Sequence, residues 1–268
     1  MNSLSVELKP DTNFVYTFFV WTASNCSPNR DGGTGEIRVD PQRRVFTTQE
    51  CFNQNVKNGV FFANQSGLVD TSEGCELMGC KNEFFGPRTL KGALKAVLAS
   101  TAKRFKKAEN KVQAQDVFQH CFDIPMFGLV NSNGLPDHPA FPHSITGSAG
   151  LVYLPKTVTA VTIQNRGISN AFAQPKSKDD DTPNDMPGSH YTDYLEEGVF
   201  CCLGLFNVKQ LEFIAREKLG FEDAATARKR IEQLYNLYLT GLWEGFKLLG
   251  YASTMRKGQQ PYALYSAQ

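Results

Sequence analysis

The sequence lacks a hydrophobic run long enough to cross a bilayer. Its longest apolar run, Val199 to Phe206, is far shorter than the roughly 20 residues that a membrane-spanning helix needs. No charged and then apolar leader opens the chain. These absences predict a soluble, cytoplasmic protein with no membrane partner.

The chain also has little net charge, because 28 Lys and Arg residues balance 27 Asp and Glu residues to give +1. A nucleic-acid site must therefore come from local clustering of charge. One such cluster is present: residues 81–113 hold nine Lys or Arg and only two Glu. The segment from Arg88 to Lys107 is predicted to be an amphipathic helix whose basic face either neutralises phosphates or is a solvated surface.

Signals for catalysis, metals and cofactors are scarce. The four histidines have no spacing typical of a metal site or a catalytic pair, and Cys75 and Cys80 have no second close Cys or His pair. The odd total of seven cysteines, several of them in apolar segments, favours reduced thiols over disulfides. The glycine spacing after the first predicted strand matches neither GxxxxGK[ST] nor GxGxxG. We therefore predict no catalytic residue, no metal and no cofactor.

What is present begins with the run NFVYTFFVWT, Asn13 to Thr22. Both alternate sets of side chains are apolar, which predicts a central strand covered on both faces. A loop rich in glycine and proline follows, and a helix is predicted over Thr48 to Val60, opened by a capping box of Thr47 and Glu50. On that helix Gln49, Asn53 and Lys57 form a polar face that contacts either a ligand or water.

Later segments predict more strands, an arm and two helices. SITGSAGLVYL and KTVTAVTIQ read as two strands or one bent strand, after a turn at Asp123 to Gly128. The polar stretch Asn165 to Glu197 is flanked by strand signals and is predicted to project as a long hairpin or arm, or else to be a surface loop. Helices are predicted from Asn207 as a cap and over Glu222 to Leu249, with PYALYS as a final strand.

Four blocks of the sequence resemble the backbone subunit of Cascade-type class 1 CRISPR effector complexes, in the RAMP superfamily. SPNRDGGTGEIRVDPQRRVFTTQ is similar to that family's first loop and helix start, and FDIPMFG resembles its D-[VI]-x-x-FG segment. SITGSAGLVYL with TVTAVTIQ resembles the strands that follow, and PGSHYTDYLEEGVFCCLGLFNVKQLE resembles a later strand and helix. The likeness covers most of the chain in the right order.

The resemblance implies an α+β fold: a single domain, 1–268, with an RNA-recognition-motif-like (ferredoxin-like) core, the palm. Two insertions are implied, a helical finger region at 61–113 and a thumb-like arm at 165–197 that folds over guide RNA. The segment GPRTLKGALK resembles another superfamily signature and is a second candidate for the first palm helix.

The implied function is that of a non-catalytic subunit that binds crRNA and assembles with copies of itself into a helical filament. Other Cascade subunits and target DNA or RNA are the further partners, in antiviral and anti-plasmid defence. A guide of varying sequence is held through phosphate and 2′-hydroxyl groups. The alternative is an RNA-cleaving subunit in which a loop aspartate, Asp31 or Asp40, cuts the target with a divalent metal.

The resemblance also implies the RNA-binding residues. On the first helix Asn53 stands where a lysine is common in the family, so either Asn53 hydrogen-bonds a phosphate or sugar, or the neighbouring arginines supply the charge. The complete predicted set is Arg38, Arg43, Arg44, Thr48, Gln49, Asn53, Lys57, Lys91, Lys95, Arg166, Phe172, Met186 and His190.

Overall fold

A computed structural model of the chain describes residues 5–26, 28, 36–66, 118, 122–130, 144–169, 189–217, 221, 223–252 and 258–268. The strands and helices within these ranges are numbered here in chain order. They are β1 (Phe14–Cys26), α1 (Gln49–Gln65), α2 (Asp123–Phe127), β2 (Gly128–Val130), β3 (Ser144–Thr146), β4 (Ala149–Thr157), β5 (Ile163–Ser169), β6 (Ser189–Asn207), α3 (Val208–Glu217), α4 (Ala224–Ala252) and β7 (Gln259–Ala267).

Five of these strands form one antiparallel sheet in the order β4-β6-β1-β7, with β5 also paired to β6. The strands β2 and β3 form a separate antiparallel pair. The predicted α+β class is confirmed. A helix precedes β4 and another precedes β7, and this order is consistent with a ferredoxin-like palm built as β-α-β-β-α-β.

The central strand β1 buries only one of its two faces. Val15, Phe19 and Trp21 are fully buried, whereas the alternating Phe14, Tyr16 and Phe18 keep 44%, 47% and 42% of their surface exposed. The predicted central position is therefore confirmed. The prediction that both faces are covered is wrong, because α1 and α4 pack against the same face of the sheet.

Aromatic rings join the two helices to the buried face. The indole of Trp21 stacks on Phe200 of β6 with centroids 5.0 Å apart and lies 4.6 Å from Phe246 of α4. Phe52 of α1 is 6.2 Å from Trp21 and 5.7 Å from Phe246. The indole nitrogen donates to Gln259 Oε1 at 2.9 Å, so the one polar atom of this cluster is satisfied.

Glycines bring α1 and α4 unusually close to each other. A Cβ built on Gly59 would overlap the backbone of Gly241 and Gly245, and one built on Gly245 would overlap the carbonyl of Asn55. Only residues without a side chain permit this approach. The contact fixes α1 against α4 and thereby fixes the direction of its polar face.

The helix starts depend on short polar side chains. Thr48 accepts the N–H of Cys51 on Oγ1 at 3.4 Å, whereas the N–H of Thr47 donates to the Pro155 carbonyl at 2.8 Å. The cap of α1 is therefore Thr48, and the predicted capping box of Thr47 and Glu50 is wrong by one residue. The predicted cap at Asn207 is confirmed, since its Oδ1 accepts the N–H of Gln210 at 2.9 Å.

The segment predicted as a turn, Asp123 to Gly128, is instead the short helix α2, ended by Gly128 at φ 87°. The base of the predicted arm is an antiparallel pair, with Ile163 opposite Leu195 and Ser169 opposite Ser189. The rest of the arm, 170–188, and the finger region beyond residue 66 lie outside the described residues. The second candidate for the first palm helix, GPRTLKGALK, also lies outside them.

Candidate nucleic-acid interface

The loop after β1 returns as a narrow turn, residues 38–46, that lies along the edge of β4. Val39 and Val45 pair across the turn, and Phe46 pairs with Lys156 of β4. The Thr157 N–H donates to the Val45 carbonyl at 2.9 Å. The loop is thereby held to the sheet just before α1 begins, which brings its arginines close to the start of that helix.

Asp40 organises this turn. Its Oδ1 accepts the N–H groups of Gln42 and Arg44 at 3.0 and 2.9 Å, and its Oδ2 accepts Arg44 Nε at 2.9 Å. Lys156 Nζ lies 3.6 Å from the same carboxylate. Partial desolvation acts to raise the pKa of Asp40, but the hydrogen bonds and charge from Arg44 outweigh it and hold the pKa below its usual value. Asp40 therefore stays ionised and shapes the loop.

The three predicted loop arginines differ in their surroundings. Arg44 is ion-paired with Asp40 at 2.8 Å, whereas the Arg43 side chain is exposed and its backbone has a positive φ of 58°. Arg38 is half-buried near Cys51, where its charge opposes the rise in the Cys51 pKa that burial causes. The exposed guanidinium of Arg43 is thus the best presented to a polyanion.

The structure brings the predicted α1 residues onto one half-buried face. Thr48 caps the helix, and Gln49, Asn53 and Lys57 follow at intervals of about one turn. At the far end of this row, the Lys57 ammonium lies 5.8 Å from the centre of the Phe127 ring of α2, a cation–π distance. The polar face of α1 therefore looks toward α2 and the start of β4 rather than into open solvent.

Between these elements lies a pocket of about 320 Å³, here called the amide pocket. Four polar residues line it, Gln49, Ser148, Asn207 and Gln210, and its apolar lining includes Phe127 and Leu205. Asn207 Nδ2 donates to Gln210 Oε1 at 3.2 Å. The amide pocket thus opens beside the predicted α1 residues and adds three polar side chains to them.

Sequence reasoning missed most of this pocket. Asn207 is recognisable only as a helix cap, and Gln210 carries no pattern of its own. Phe127 belongs to the FDIPMFG block, but nothing in that block indicates a contact with Lys57. Residues 49, 127, 148 and 210 meet only through the fold, so a single sequence offers no spacing that would group them.

The remaining predicted residues lie in the β5–β6 pair or outside the described residues. Lys91, Lys95, Phe172 and Met186 lie outside the described residues. Arg166 and His190 occupy diagonal positions in the β5–β6 register, where Arg166 is opposite Thr192 and Ile168 is opposite His190. Asp31, the other aspartate of the nuclease alternative, also lies outside the described residues.

Neither a cluster of metal-ligating side chains nor a membrane-spanning helix occurs within the described ranges. These ranges contain no group of three or more His, Cys, Asp or Glu side chains able to hold a metal ion. None of the helices in the described part is both long enough and apolar enough to span a membrane.

No protein-family model matches the chain, and no curated protein matches it either. Among solved structures it is similar to a chain of a "CRISPR RNA-guided surveillance complex" at 14% identity and a TM-score of 0.44, covering 84% of this chain and 60% of that one. It is also similar to a chain of a "CRISPR RNA-guided surveillance complex, pre-nicking" at 14% identity and a TM-score of 0.46, covering 84% and 71%. The chain thus spans well under the full length of both, and likeness at this level does not establish membership of a family.

Proposed function

We propose that this chain is a non-catalytic backbone subunit of a class 1, Cascade-type CRISPR effector complex. In this role it binds crRNA, assembles with copies of itself and other subunits along the guide, and holds the guide for pairing with target DNA or RNA. The proposal places the chain in the RAMP superfamily and in defence against viruses and plasmids. Four sequence blocks in the family's order support it.

The observation that carries the proposal is the half-buried polar face of α1. Thr48, Gln49, Asn53 and Lys57, which the resemblance identifies as guide contacts, follow one another on that face, and Lys57 provides a cation at its end. Close packing of α1 on α4 through Gly59 and Gly245 fixes the direction of the face. A fixed row of amide, hydroxyl and ammonium groups suits a sugar–phosphate backbone of any sequence.

The charge that Asn53 does not provide has a candidate source in the turn at 38–46. Arg43 is exposed there, while Arg44 is neutralised in part by Asp40. Held against β4, this turn lies next to the start of α1. We expect Arg43 and Lys57 to contribute most of the salt-dependent part of RNA binding at this site.

Guide binding is tested with the double variant Lys57→Ala and Arg43→Ala. Affinity for single-stranded RNA should fall for every guide sequence, and the slope of log affinity against log salt should fall by about 0.7 for each phosphate that is no longer neutralised. Lys209→Ala removes an equally charged, exposed side chain from α3 and is the matched control. Unchanged affinity of the double variant at physiological salt would refute the site.

The absence of catalysis is proposed because of the state of Asp40. Its carboxylate accepts two backbone N–H groups and the Arg44 guanidinium, and Lys156 lies beside it. A carboxylate held in this way serves the turn and has little capacity left for a hydrated metal ion. Assembled complex incubated with complementary RNA and Mg²⁺ should give no periodic cuts, whereas a ladder that disappears in Asp31→Ala would establish the nuclease alternative.

A further inference from the structure

We propose that the amide pocket binds the ribose of one guide nucleotide through its 2′-hydroxyl group, and that it makes the chain select RNA over DNA. The inference rests on the proposed guide-binding function and names the part of the nucleotide that this site recognises. It assigns a binding role to Ser148, Asn207 and Gln210, which the sequence analysis did not predict.

The charge of the lining favours a neutral group. The pocket is lined by amide and hydroxyl side chains, short backbone segments and apolar side chains, and by no Lys, Arg, Asp or Glu among the described lining residues. A phosphate placed inside would lose solvent without gaining a counter-charge. A sugar hydroxyl is neutral, so its desolvation costs far less, and it can both donate and accept a hydrogen bond.

The polar groups of the lining have unused hydrogen-bonding capacity. Ser148 is only 3% exposed, and its hydroxyl has no hydrogen-bond partner in the described structure. Its backbone is already used, since the N–H donates to Pro125 at 3.3 Å and the carbonyl accepts from Asn207 at 2.8 Å. A buried hydroxyl without a partner is costly, so the pocket wall at this residue lacks one hydrogen-bond partner.

The two glutamines complete this set. Gln210 uses its Oε1 to accept from Asn207, which leaves its amide N–H groups able to donate to a ligand. Gln49 lines the pocket from the first turn of α1. A glutamine side chain can present donors or an acceptor, so this pair matches a hydroxyl group in either orientation.

The position of Lys57 fits a ribose in the pocket with its phosphate outside. The ammonium lies above the Phe127 ring, and Phe127 is itself part of the pocket wall. A cation therefore lies at the rim, whereas the interior is neutral. Sugar and phosphate of one nucleotide require these two environments side by side.

A nucleobase fits the same lining less well. Base recognition commonly relies on stacking against an aromatic face, and Phe127 is the one aromatic side chain among the described lining residues. Its ring already packs edge-on against Phe122 at 5.8 Å and lies beneath the Lys57 ammonium. The ring is thus largely engaged before any ligand arrives.

The test measures binding of one sequence as RNA, as DNA, as 2′-O-methyl RNA and as RNA with abasic sites. The wild-type chain should bind RNA and abasic RNA similarly and should bind DNA and the methylated strand more weakly. Gln49→Ala and Gln210→Ala should each weaken RNA binding about three- to tenfold, the range for removal of one hydrogen bond, and leave DNA binding unchanged. Gln54→Ala, a glutamine on α1 bonded instead to Asn58, is the matched control and should keep the full RNA preference.

Several results would overturn the assignment. If the ratio of RNA affinity to DNA affinity stays the same in both pocket variants, the pocket does not bind the ribose. If the wild-type chain loses much of its affinity on abasic RNA and the pocket variants abolish that loss, the pocket binds a base instead. If Lys57→Ala weakens RNA binding but the pocket variants do not alter the ratio, guide binding stands and the pocket proposal fails. If the wild-type chain binds no RNA, both fail together.

Discussion

The two faces of the central sheet carry similar types of side chain but differ strongly in how far these side chains are buried. Along β1, Phe19 and Trp21 are fully buried beneath α1 and α4, whereas Phe18 and Tyr16 are more than 40% exposed on the opposite face. The neighbouring strand β6 repeats the difference, since Cys202 is buried and Cys201 is only half-buried. Residues of the same type thus have opposite environments because two helices cover one face only.

The largest difference expected between the faces is in thiol reactivity. Burial raises the pKa of Cys202, the adjacent Cys201 adds to the rise, and burial also raises the pKa of Cys201. The thiolate is the reactive form, so labelling of both thiols increases as the pH rises toward and above their ordinary pKa. Cys202 should react at least about a thousandfold more slowly than Cys201, because the Cys202 thiol is reached only when the sheet opens. Peptide mapping after alkylation of the folded chain measures this, and equal rates would contradict the assignment of the faces.

Replacing neighbouring phenylalanines by alanine is the most direct comparison in stability. Phe19→Ala removes a ring packed 5.2 Å from Trp21 and 5.0 Å from Phe246 and should lower the free energy of unfolding by about 3–5 kcal/mol. Phe18→Ala removes a ring whose described aromatic neighbour is Tyr265 at 6.5 Å and should cost less than about 1 kcal/mol. Urea denaturation of the two variants gives the difference, and similar losses would mean that both faces are covered in solution.

The helix layer that covers the buried face is tested with Gly245→Ala. Alanine ordinarily stabilises a helix by about 1 kcal/mol relative to glycine, but here its Cβ would overlap the Asn55 carbonyl of α1. We expect overpacking to dominate and to destabilise the fold by about 1–3 kcal/mol. A rise in the melting temperature would show that α1 and α4 are farther apart than described.

A smaller effect than that of Gly245→Ala is expected from a hydroxyl on the buried face. Tyr235 of α4 shares hydrogen bonds with Thr17 of β1 at 2.9 Å and with Ser266 of β7 at 2.6 Å. Tyr235→Phe leaves the buried Thr17 hydroxyl without this partner and should cost about 1–2 kcal/mol. Thermal unfolding monitored by circular dichroism measures the loss, and the double variant with Thr17→Val should recover part of it.

The sequence predicted the elements better than their environments. Alternating apolar residues in β1 indicated a central strand, but both alternate sets were apolar, so periodicity could not tell which face the helices would cover. Thr47 and Thr48 were equally good caps by residue type. The Cys51 N–H bonds to Thr48 Oγ1, whereas the Thr47 N–H, which a capping box would give to Glu50, bonds to the carbonyl of the distant Pro155.

The candidate site was likewise predicted only in part. Local spacing was enough to group Gln49, Asn53 and Lys57, because a helix repeats at close to four residues. The other walls of the amide pocket come from α2, β4, β6 and α3. These residues are close in space because of the strand order and the position at which β6 ends. Neither can be predicted from a short stretch of sequence.

The length of β6 has a consequence for how this protein can change over evolutionary time. One uninterrupted strand of 19 residues pairs with β5 at its start and with β1 and β4 further along. Since side chains alternate with a period of two, one residue inserted or deleted near Gly198 would turn the hairpin base over relative to the sheet. Length variation among homologues is therefore expected at 170–188, between the paired ends of β5 and β6, with the number of residues from 195 to 207 held constant.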